Sequence, residues 1–211
     1  MTKSPLQRVA EALVSRPWFY ELVQNAAGRS VVVEKLKTVL PPSAGRVFDV
    51  GSASGGLSMS LGLQPISLDI DPRSVLSARK KHPGAIALVG DATELPFPAL
   101  CFDLSLCVDI SHHLPDAAWP RMLAELRRVT RGTLVFLDAV RVDSRPLSRL
   151  LWRYDRGRHP RNREEILEAI GREFLIRNVV DFSVYHRYLL CTATPDSSRA
   201  SRPSVTESSG G

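Results

Sequence analysis

The chain has 211 residues, a hydrophobic fraction of 44% and a formal net charge of +6. This length and composition suit one α/β domain with a hydrophobic core, and no run of roughly 18 apolar residues could cross a membrane. Three scattered cysteines, Cys101, Cys107 and Cys191, exclude a disulfide framework and are expected to be reduced. Because the N-terminus also lacks an apolar signal core, we expect a cytoplasmic protein.

The first 40 residues are predicted to form an N-terminal helical cap. Apolar residues recur at helical spacing over residues 6–27, and Gly28 is expected to stop that run. A second helix is predicted over residues 31–40, where Pro41 and Pro42 end it.

Residues 41–194 are predicted to form one α/β domain. Short apolar strands alternate with helices, which indicates a parallel sheet with right-handed crossovers. The predicted strands are 47–50, 66–70, 85–89, 102–108 and 133–137, with 174–182 and 185–193 as a final hairpin. The predicted helices lie at 57–61, around 75–78, at 117–129 and at 164–173. The remaining residues, 195–211, are rich in serine, proline and glycine, and we expect them to be disordered.

The first predicted strand breaks on glycines into a helix. Gly51 and Gly55 enclose the small residues Ser52, Ala53 and Ser54. Small residues let the backbone approach a ligand, and the start of the helix offers free N–H groups, as in nucleotide-binding turns. The alternative is an ordinary strand-to-helix turn whose glycines serve helix packing.

Two features of this turn favour S-adenosylmethionine (SAM) over a dinucleotide. The dinucleotide fingerprint has glycine where this chain has Ala53, because the backbone must approach a pyrophosphate closely there. Asp49 would place a carboxylate at the mouth of the turn, where it would repel a pyrophosphate and attract a cation. SAM carries an ammonium and a sulfonium group and no phosphate.

Aspartates lie at or near the ends of the predicted parallel strands, where ligands of such sheets bind. Asp69 closes the second strand, and a carboxylate can accept hydrogen bonds from both hydroxyls of a ribose. Asp71 precedes Pro72 and is the predicted N-cap of the next helix, which leaves Asp69 free for the ribose. The aspartates at the other strand ends are Asp49, Asp91, Asp109 and Asp138.

Residues 141–163 form a basic segment directly after the fifth strand. Its arginines recur at helical spacing, with leucines and aromatic residues between them: Arg145, Arg149, Arg153 and Arg156. Two interpretations stay open, a solvated amphipathic helix or a cap over the active site. A cap of this composition would suit an acceptor with an apolar body and an anionic or polar head.

Six short motifs follow one another along the chain: VFDVGSASG at 47–55, LDID at 68–71, GDATELPF at 90–97, FDL at 102–104, SHHL at 111–114 and ELRRV at 125–129. In this order and spacing they resemble class I SAM-dependent methyltransferases, specifically the type 11 group. Two positions depart from the family pattern. Ala53 stands at the middle glycine of the loop, and residues 130–132 replace a Pro-Gly-Gly turn before the fifth strand.

The resemblance implies a Rossmann-like, doubly wound α/β fold, with a seven-stranded, mainly parallel sheet that ends in an antiparallel hairpin. It also implies a cofactor site in which the glycine turn holds the methionine end of SAM, Asp69 holds the ribose and Ile70 packs on adenine. Asp91, with Ala92 beside it, would accept from the adenine amino group. The backbone after the fourth strand would close over the amino group. The implied cofactor-binding residues are Asp49, Gly51, Ser52, Ala53, Gly55, Asp69, Ile70, Asp91, Ala92, Cys107 and Val108.

Methyl transfer from a sulfonium is an in-line displacement in which alignment of the nucleophile supplies much of the acceleration. A hydroxyl or amine acceptor can also need a base, and the candidates are His112 and His113, directly after the fourth strand. A structural hydrogen bond is the alternative for either residue, and we favour it for His113. Because adjacent side chains diverge, the pair does not predict a metal site.

Three alternatives to a small-molecule or lipid-like acceptor methyltransferase stay open. One is an NAD-dependent oxidoreductase on a similar topology, and another is a SAM-fold protein that binds without catalysis. The third, a nucleic-acid methyltransferase, is disfavoured because residues 108–111 do not carry the Asn/Asp-Pro-Pro-Tyr motif of amino-methylating DNA enzymes. The positive net charge permits contact with a membrane surface and does not select it.

Overall fold

The computed structural model describes residues 28–142, 159–184 and 186–196. Several predicted features therefore lie outside the described residues. They are the helical run 6–27, the arginine-rich part of the basic segment at 143–158 and the tail from residue 197 onward.

The described residues form helices and strands that alternate along the chain. The helices are α1 (Arg29–Lys37), α2 (Gly56–Ser60), α3 (Pro72–Lys81), α4 (Ala118–Val129) and α5 (Arg163–Glu173), with a 3₁₀ turn at Ser111–His113. The strands are β1 (Val47–Val50), β2 (Ile66–Asp69), β3 (Ile86–Val89), β4 (Phe102–Val108), β5 (Thr130–Val140), β6 (Phe174–Ser183) and β7 (Arg187–Pro195).

All seven strands form a single sheet in the order β3-β2-β1-β4-β5-β7-β6. The first five strands pair in parallel, and β7 pairs antiparallel with both β5 and β6. This confirms the predicted fold class, including the final hairpin. The order reverses between β1 and β4, and the carboxyl ends of these two strands therefore flank the crevice where ligands of doubly wound sheets bind.

The hydrophobic core lies on both faces of this sheet, as alternating side chains of a central strand require. On β5, Leu134 and Phe136 face the cluster that contains residues of α4 and α5, such as Met122 and Ile170. Val135 and Leu137 face the opposite cluster, which contains Val32 and Leu36 of α1. The described part of the predicted N-terminal cap is thus built into the domain core.

Helix α1 differs slightly from the prediction for residues 31–40. It begins at Arg29 and ends at Lys37, and Gly28 is the residue before its first turn. The three cysteines are free, and burial raises the pKa of the Cys191 thiol to about 12. Among the residues that the structure describes, no helix combines the length and apolarity needed to cross a membrane.

The ELRRV motif at the end of α4 fixes the loop that follows β3. Glu125 accepts a hydrogen bond from the Leu95 backbone N–H at 2.7 Å. Arg128 donates to the carbonyl oxygens of Leu95 and Phe97 at 2.9 and 2.6 Å. Hydrogen bonds with Arg128 also lower the pKa of Glu125, which keeps the pair ionised. The motif therefore positions the chain next to Asp91 at the carboxyl edge of the sheet.

Strand β5 is longer than predicted, because α4 ends at Val129 and the strand begins at the next residue. Residues 130–132, which stand at the place of a family turn, are instead part of the strand. An added Cβ on Gly132 would lie 2.1 Å from the backbone oxygen of Asp103 on β4. The register of the β4–β5 pair also shifts between Phe102 and Leu104. The direct helix-to-strand connection thus depends on a glycine at a close backbone contact.

We predict that Gly132→Ala destabilises the protein, because the contact atom is backbone and cannot rotate away. The expected loss in the free energy of unfolding is about 1–3 kcal/mol, measured by urea denaturation. Gly171→Ala is the matched control, since Gly171 lies within α5 and an added Cβ meets only Ile176 Cδ1 at 4.0 Å. That control should stabilise the protein by about 0.5–1 kcal/mol. Equal stability of the two variants would contradict the prediction.

Candidate functional site

The glycine turn after β1 has a left-handed backbone at alternate residues. The φ angles of Gly51, Ala53 and Gly55 are +67°, +48° and +72°. The N–H groups of Gly51 and Ser52 both donate to the carbonyl of Leu68 on β2, at 2.8 and 3.2 Å. The turn is therefore bonded to the neighbouring strand, and its conformation explains the glycines at its two ends.

Asp69 at the end of β2 holds this turn in place. Its Oδ2 accepts from the Ala53 N–H at 2.8 Å, and its Oδ1 accepts from the Asp71 N–H at 2.9 Å. Asp69 does not cap α3, as predicted, but its carboxylate already accepts hydrogen bonds from these two backbone groups. A carboxylate has about four acceptor positions and Asp69 is half-exposed, so it retains capacity for the hydroxyls of a ribose. Asp71 caps α3 by accepting from the Arg73 N–H at 3.0 Å, as predicted.

Asp49 is buried below the turn, with 5% of its surface exposed. The sequence predicted its carboxylate at the mouth of the turn, and in the structure this carboxylate is buried and Oδ2 accepts a hydrogen bond from Ser58 of α2. Burial raises the pKa of Asp49 to about 7, against the hydrogen bond from Ser58 and with a further rise from the charge of Asp69. A cationic group placed beside Asp49 would stabilise its ionised form.

The end of β3 and the loop after it bring Asp91 and Ala92 to the same edge of the sheet. Asp91 is exposed, and its Oδ1 accepts from the N–H and the Oγ1 of Thr93 at 2.8 and 2.9 Å. These two bonds lower the pKa of Asp91, which stays ionised and can accept from a ligand. Ala92 is buried beside it, whereas Ile70 at the end of β2 is 72% exposed.

The end of β4 completes the edge beside β1. Cys107 and Val108 are buried, and Val50 of β1 lies in register with Cys107. Ile110 covers the glycine turn so closely that a Cβ on Gly51 would lie 2.5 Å from its Cδ1. Asp109, which lies between Val108 and Ile110, has a φ of +52° and is exposed.

These residues fit SAM by chemistry. A buried carboxylate suits the ammonium group, a carboxylate on β2 suits the ribose, and an exposed apolar side chain next to it suits adenine. The structure brings these predicted residues to one edge of the sheet, along the carboxyl ends of the neighbouring strands β1, β2 and β3.

His112 lies in the 3₁₀ turn after β4 and pairs with Asp138 of β5. The His112 Nδ1 is 2.5 Å from Asp138 Oδ1, and the two residues are only 6% and 0% exposed. His113 is exposed, and the ring centroids of the two histidines are 4.2 Å apart. The expectation that adjacent histidine side chains diverge was therefore wrong, because the tight turn brings the rings into contact.

Asp138 and Arg161 are the two residues of this region to which sequence reasoning gave no role. Asp138 was visible as an acidic residue at a strand end, but nothing local indicated its partner. Arg161 lies in the basic segment and is 6% exposed, with its guanidinium 5.3 Å from the ring centre of Trp119. It donates to the backbone oxygens of Ser111 and Leu114, the second at 2.9 Å.

Comparison with known proteins identifies the domain. Residues 48–136 match the family described as "Methyltransferase domain". N-methyltransferase NodS from Bradyrhizobium japonicum WM9, solved with S-adenosyl-L-homocysteine (SAH), superposes with a TM-score of 0.67 at 17% identity and covers 89% of this chain and 97% of that one. Residues 48–136 therefore carry a methyltransferase domain, and the fold is shared with a SAM-dependent methyltransferase solved with SAH.

Two relatives show closer sequence similarity over part of their length. Phthiotriol/phenolphthiotriol dimycocerosates methyltransferase of Mycobacterium leprae is 36% identical over 105 residues, which are 46% of this chain and 38% of that protein. The 2-methyl-6-phytyl-1,4-hydroquinone methyltransferase of Synechocystis is 34% identical over 122 residues, 54% of this chain and 37% of that protein. The chain thus matches less than half the length of these relatives.

We predict that Ala53→Gly slightly stabilises the protein and retains SAM binding. An alanine at φ +48° costs about 1–2 kcal/mol of stability, and glycine removes this cost. Glycine in turn lowers stability by about 0.4–1 kcal/mol, because it gives the unfolded chain more conformational freedom. The backbone bond to Asp69 does not depend on the side chain. Ala124→Gly in α4 is the matched control and should destabilise by about 0.5–1 kcal/mol. Urea denaturation of both variants checks the opposite signs, and destabilisation by both would contradict the prediction.

We also predict a pH dependence of stability that comes from Asp49. Its pKa is about 7 in the folded protein, against the ordinary value of 3.8 that the residue takes once it is unfolded and solvated. The folded state therefore holds the proton more tightly, and the free energy of unfolding falls as the pH rises from about 4 to about 7, by at most about 1.4 kcal/mol per pH unit.

The difference between the wild type and Asp49→Asn isolates this effect from other titrating groups. Asparagine keeps an oxygen that can accept from Ser58 and cannot ionise. The wild type should lose stability relative to the variant across this range, in urea denaturation at pH 4, 5, 6 and 7. A constant difference between the two would show that Asp49 does not titrate there.

Proposed function

We propose that the protein is a SAM-dependent methyltransferase that acts on a hydroxyl-bearing small-molecule or lipid-like acceptor. The observation that carries the proposal is the adjacency of two arrangements at the carboxyl edge of the sheet. Asp49, Asp69 and Asp91 form an acidic cradle at the ends of β1, β2 and β3. A buried His112–Asp138 pair lies beside it at the ends of β4 and β5. The first suits a cationic nucleoside, and the second suits proton removal from an acceptor.

In this proposal, residues at the end of each strand of the acidic cradle bind a different part of SAM. Asp49 and the backbone of the glycine turn bind the methionine end, together with the backbone of Cys107 and Val108. Asp69 binds the ribose. The remaining contacts, to adenine, come from Ile70, Asp91 and Ala92.

SAM supplies a methyl group on a positively charged sulfur, which leaves as the neutral thioether of SAH. The chain's contribution is to align the acceptor oxygen with that methyl group and to receive its proton. As the new carbon–oxygen bond forms and the carbon–sulfur bond breaks, Nε2 of His112 takes the proton of the acceptor hydroxyl. Alignment can contribute about 7–11 kcal/mol and a base about 10²–10⁴-fold. His113, which is exposed, is assigned a supporting ring contact.

The acceptor class is supported by the two relatives and by the base. One relative is named for phthiotriol/phenolphthiotriol dimycocerosates and the other for a phytyl-bearing hydroquinone. A base is needed more by a hydroxyl acceptor than by a neutral amine, because a hydroxyl is a poor nucleophile while it keeps its proton. These points favour a hydroxyl group on an apolar molecule over a nucleic acid or a nicotinamide reaction.

We predict that Asp69→Ala weakens SAM binding by about 2–4 kcal/mol, which is roughly 30- to 1,000-fold in Kd. The variant loses the bonds to the ribose and the bond that fixes Ala53. Asp71→Ala is the matched control, because it removes a neighbouring carboxylate that caps α3. It should cost about 1 kcal/mol of stability and leave the Kd nearly unchanged. Calorimetric titration with SAM measures both, and equal Kd values for all three proteins would reject the assignment.

The function is tested by the formation of SAH in the presence of candidate acceptors. Hydroquinones and phenols with a long alkyl chain are compared with the same rings without the chain, and with a primary amine that carries the chain. We expect SAH with the chain-bearing hydroxyl compounds and little with the amine, as measured by mass spectrometry. Tight binding of SAM without turnover of any acceptor would instead support the alternative of a SAM-fold protein that binds without catalysis.

A further inference from the structure

A cavity of about 460 Å³ is lined by residues of helices α2 and α3 and of strands β2 and β3. Helix α2 spans only five residues, whereas α3 spans ten. Because a helix rises about 1.5 Å per residue, α2 is about half as long as α3 and leaves part of the sheet beside α3 uncovered. The volume of this space falls within the range of about 300–1,000 Å³ that is usual for ligand sites.

The walls of the cavity are mostly apolar, and one of them is fixed by side-chain bonds. Met59 of α2 and Ala78 of α3 line the cavity from the two helices, and Ala87 of β3 lines it from the sheet. Arg79 ties α3 to β3, because two of its guanidinium nitrogens donate to the Ala87 carbonyl at 3.0 and 2.6 Å. These walls suit a rigid apolar body that packs between the helices and the sheet.

Ser67 of β2 adds a polar group to this apolar lining. It is 5% exposed, and its hydroxyl has no hydrogen-bond partner among the residues that the structure describes. The other buried serines of the described chain, Ser58, Ser105 and Ser111, each bond another side chain. A buried hydroxyl without a partner costs free energy, and a ligand that bonds Ser67 would remove that cost.

The charged groups at the cavity are cationic. Lys81 and His82 line it, and within the described part of the chain neither side chain has a hydrogen bond or an ion pair. No Asp or Glu is among the described residues that line the cavity, and neither α2 nor α3 contains one. The last turn of α3 also carries Arg79 and Lys80, which oppose the partial negative charge of the helix end. The cavity therefore favours an anion.

We propose that this cavity binds a compact apolar acid that carries a second polar group. The carboxylate of the ligand lies near Lys81 and His82, its apolar body packs between the helices and β3, and its second polar group bonds the hydroxyl of Ser67. An aromatic ring system suits the apolar body best, because a rigid ligand loses little conformational entropy when it binds.

This site is separate from the crevice of the proposed methyl transfer. Neither His112 nor Asp138 lines the cavity, and the cavity meets the glycine turn only at Gly55, the last residue of that turn. A Cβ added to Gly55 would lie 3.7 Å from His82 Cδ2, which places this side of the turn against α3. The inference does not depend on the proposed function, and its test leaves that function undecided.

The test is a titration of the full chain with a hydroxynaphthoate whose hydroxyl and carboxylate lie at opposite ends of the rings. Excess SAH is present to occupy the cofactor site, and NMR of methyl-labelled methionine reports where the probe binds. Met59 lines the cavity, whereas Met122 is 0% exposed in the core cluster that contains α4 and α5. We expect a saturable shift of the Met59 methyl signal and none of Met122. Binding without a shift of Met59 would place the probe elsewhere and overturn the proposal, as would no saturable binding.

Two probes that each lack one polar group assign the contacts. A naphthoate without the hydroxyl should bind about three- to tenfold more weakly, because it cannot bond Ser67. Ser67→Ala should weaken binding of the hydroxynaphthoate by the same factor and leave that of the naphthoate unchanged. An equal effect of this variant on both acids would overturn the role of Ser67. If the variant does not fold, the comparison of the two acids in the wild type still tests this contact.

Lys81→Glu tests the charge, and Lys80→Glu is its matched control on a neighbouring lysine that does not line the cavity. Lys81→Glu should weaken binding of both acids about fivefold or more, and Lys80→Glu by less than about twofold. The uncharged hydroxynaphthamide should bind the wild type about fivefold more weakly than the acid and be nearly insensitive to Lys81→Glu. Equal losses in the two lysine variants, or an amide that binds as tightly as the acid, would overturn the anion site.

Discussion

The site depends on carboxylates that accept backbone N–H groups from the loop of a neighbouring strand. Asp69 at the end of β2 holds the turn that follows β1, through Ala53. Asp138 near the end of β5 holds the turn that follows β4, through Ser111. Because β1 and β4 are neighbours at the reversal of strand order, these two turns face the same crevice. Each wall of the crevice is thus shaped by an acid on the next strand outward.

Carboxylates hold these turns because an unpaired backbone group near the protein interior costs free energy. A tight turn exposes N–H groups that no sheet or helix satisfies, and an ionised carboxylate gives them stronger bonds than a neutral acceptor does. The left-handed residues of the glycine turn raise the cost of that turn further. Its hydrogen bond to Asp69 offsets this cost, which explains how Ala53 can occupy a conformation that favours glycine.

The sequence predicted most of the fold, because the fold follows local patterns. β4 was predicted over 102–108 and is observed there, and Asp71 was correctly identified as the cap of α3. The length of β5 was not predictable in the same way. Whether a turn intervenes after Val129 depends on a close backbone contact between Gly132 and Asp103, which no local pattern reveals.

Most residues of the site could be predicted from the sequence, but most contacts between them could not. Motifs located the acids and His112, since these lie beside recognisable strand ends. The pairing of His112 with Asp138 spans 26 residues, and that of Arg161 with Ser111 spans 50. Such contacts depend on the register of β4 against β5 and on the path of the chain after β5. The burial of Asp49 was also missed, because it requires Ser58 on α2 to pack directly over the strand.

The two walls of the crevice differ in how their charge is balanced, and this difference matches their proposed roles. On the β1–β2 side, Asp49 has a neutral hydroxyl as its partner, and the charge of Asp69 adds to the rise of its pKa. A cation bound here would favour the ionised form of Asp49 and offset the charge of Asp69, so this wall favours a positively charged ligand. On the β5 side, the charge of Asp138 is balanced by His112 and by the hydrogen bonds from Ser111 and Ala139, which lower its pKa against the effect of burial. That wall therefore needs no added cation, which matches the proposal that its histidine exchanges a proton with an uncharged acceptor.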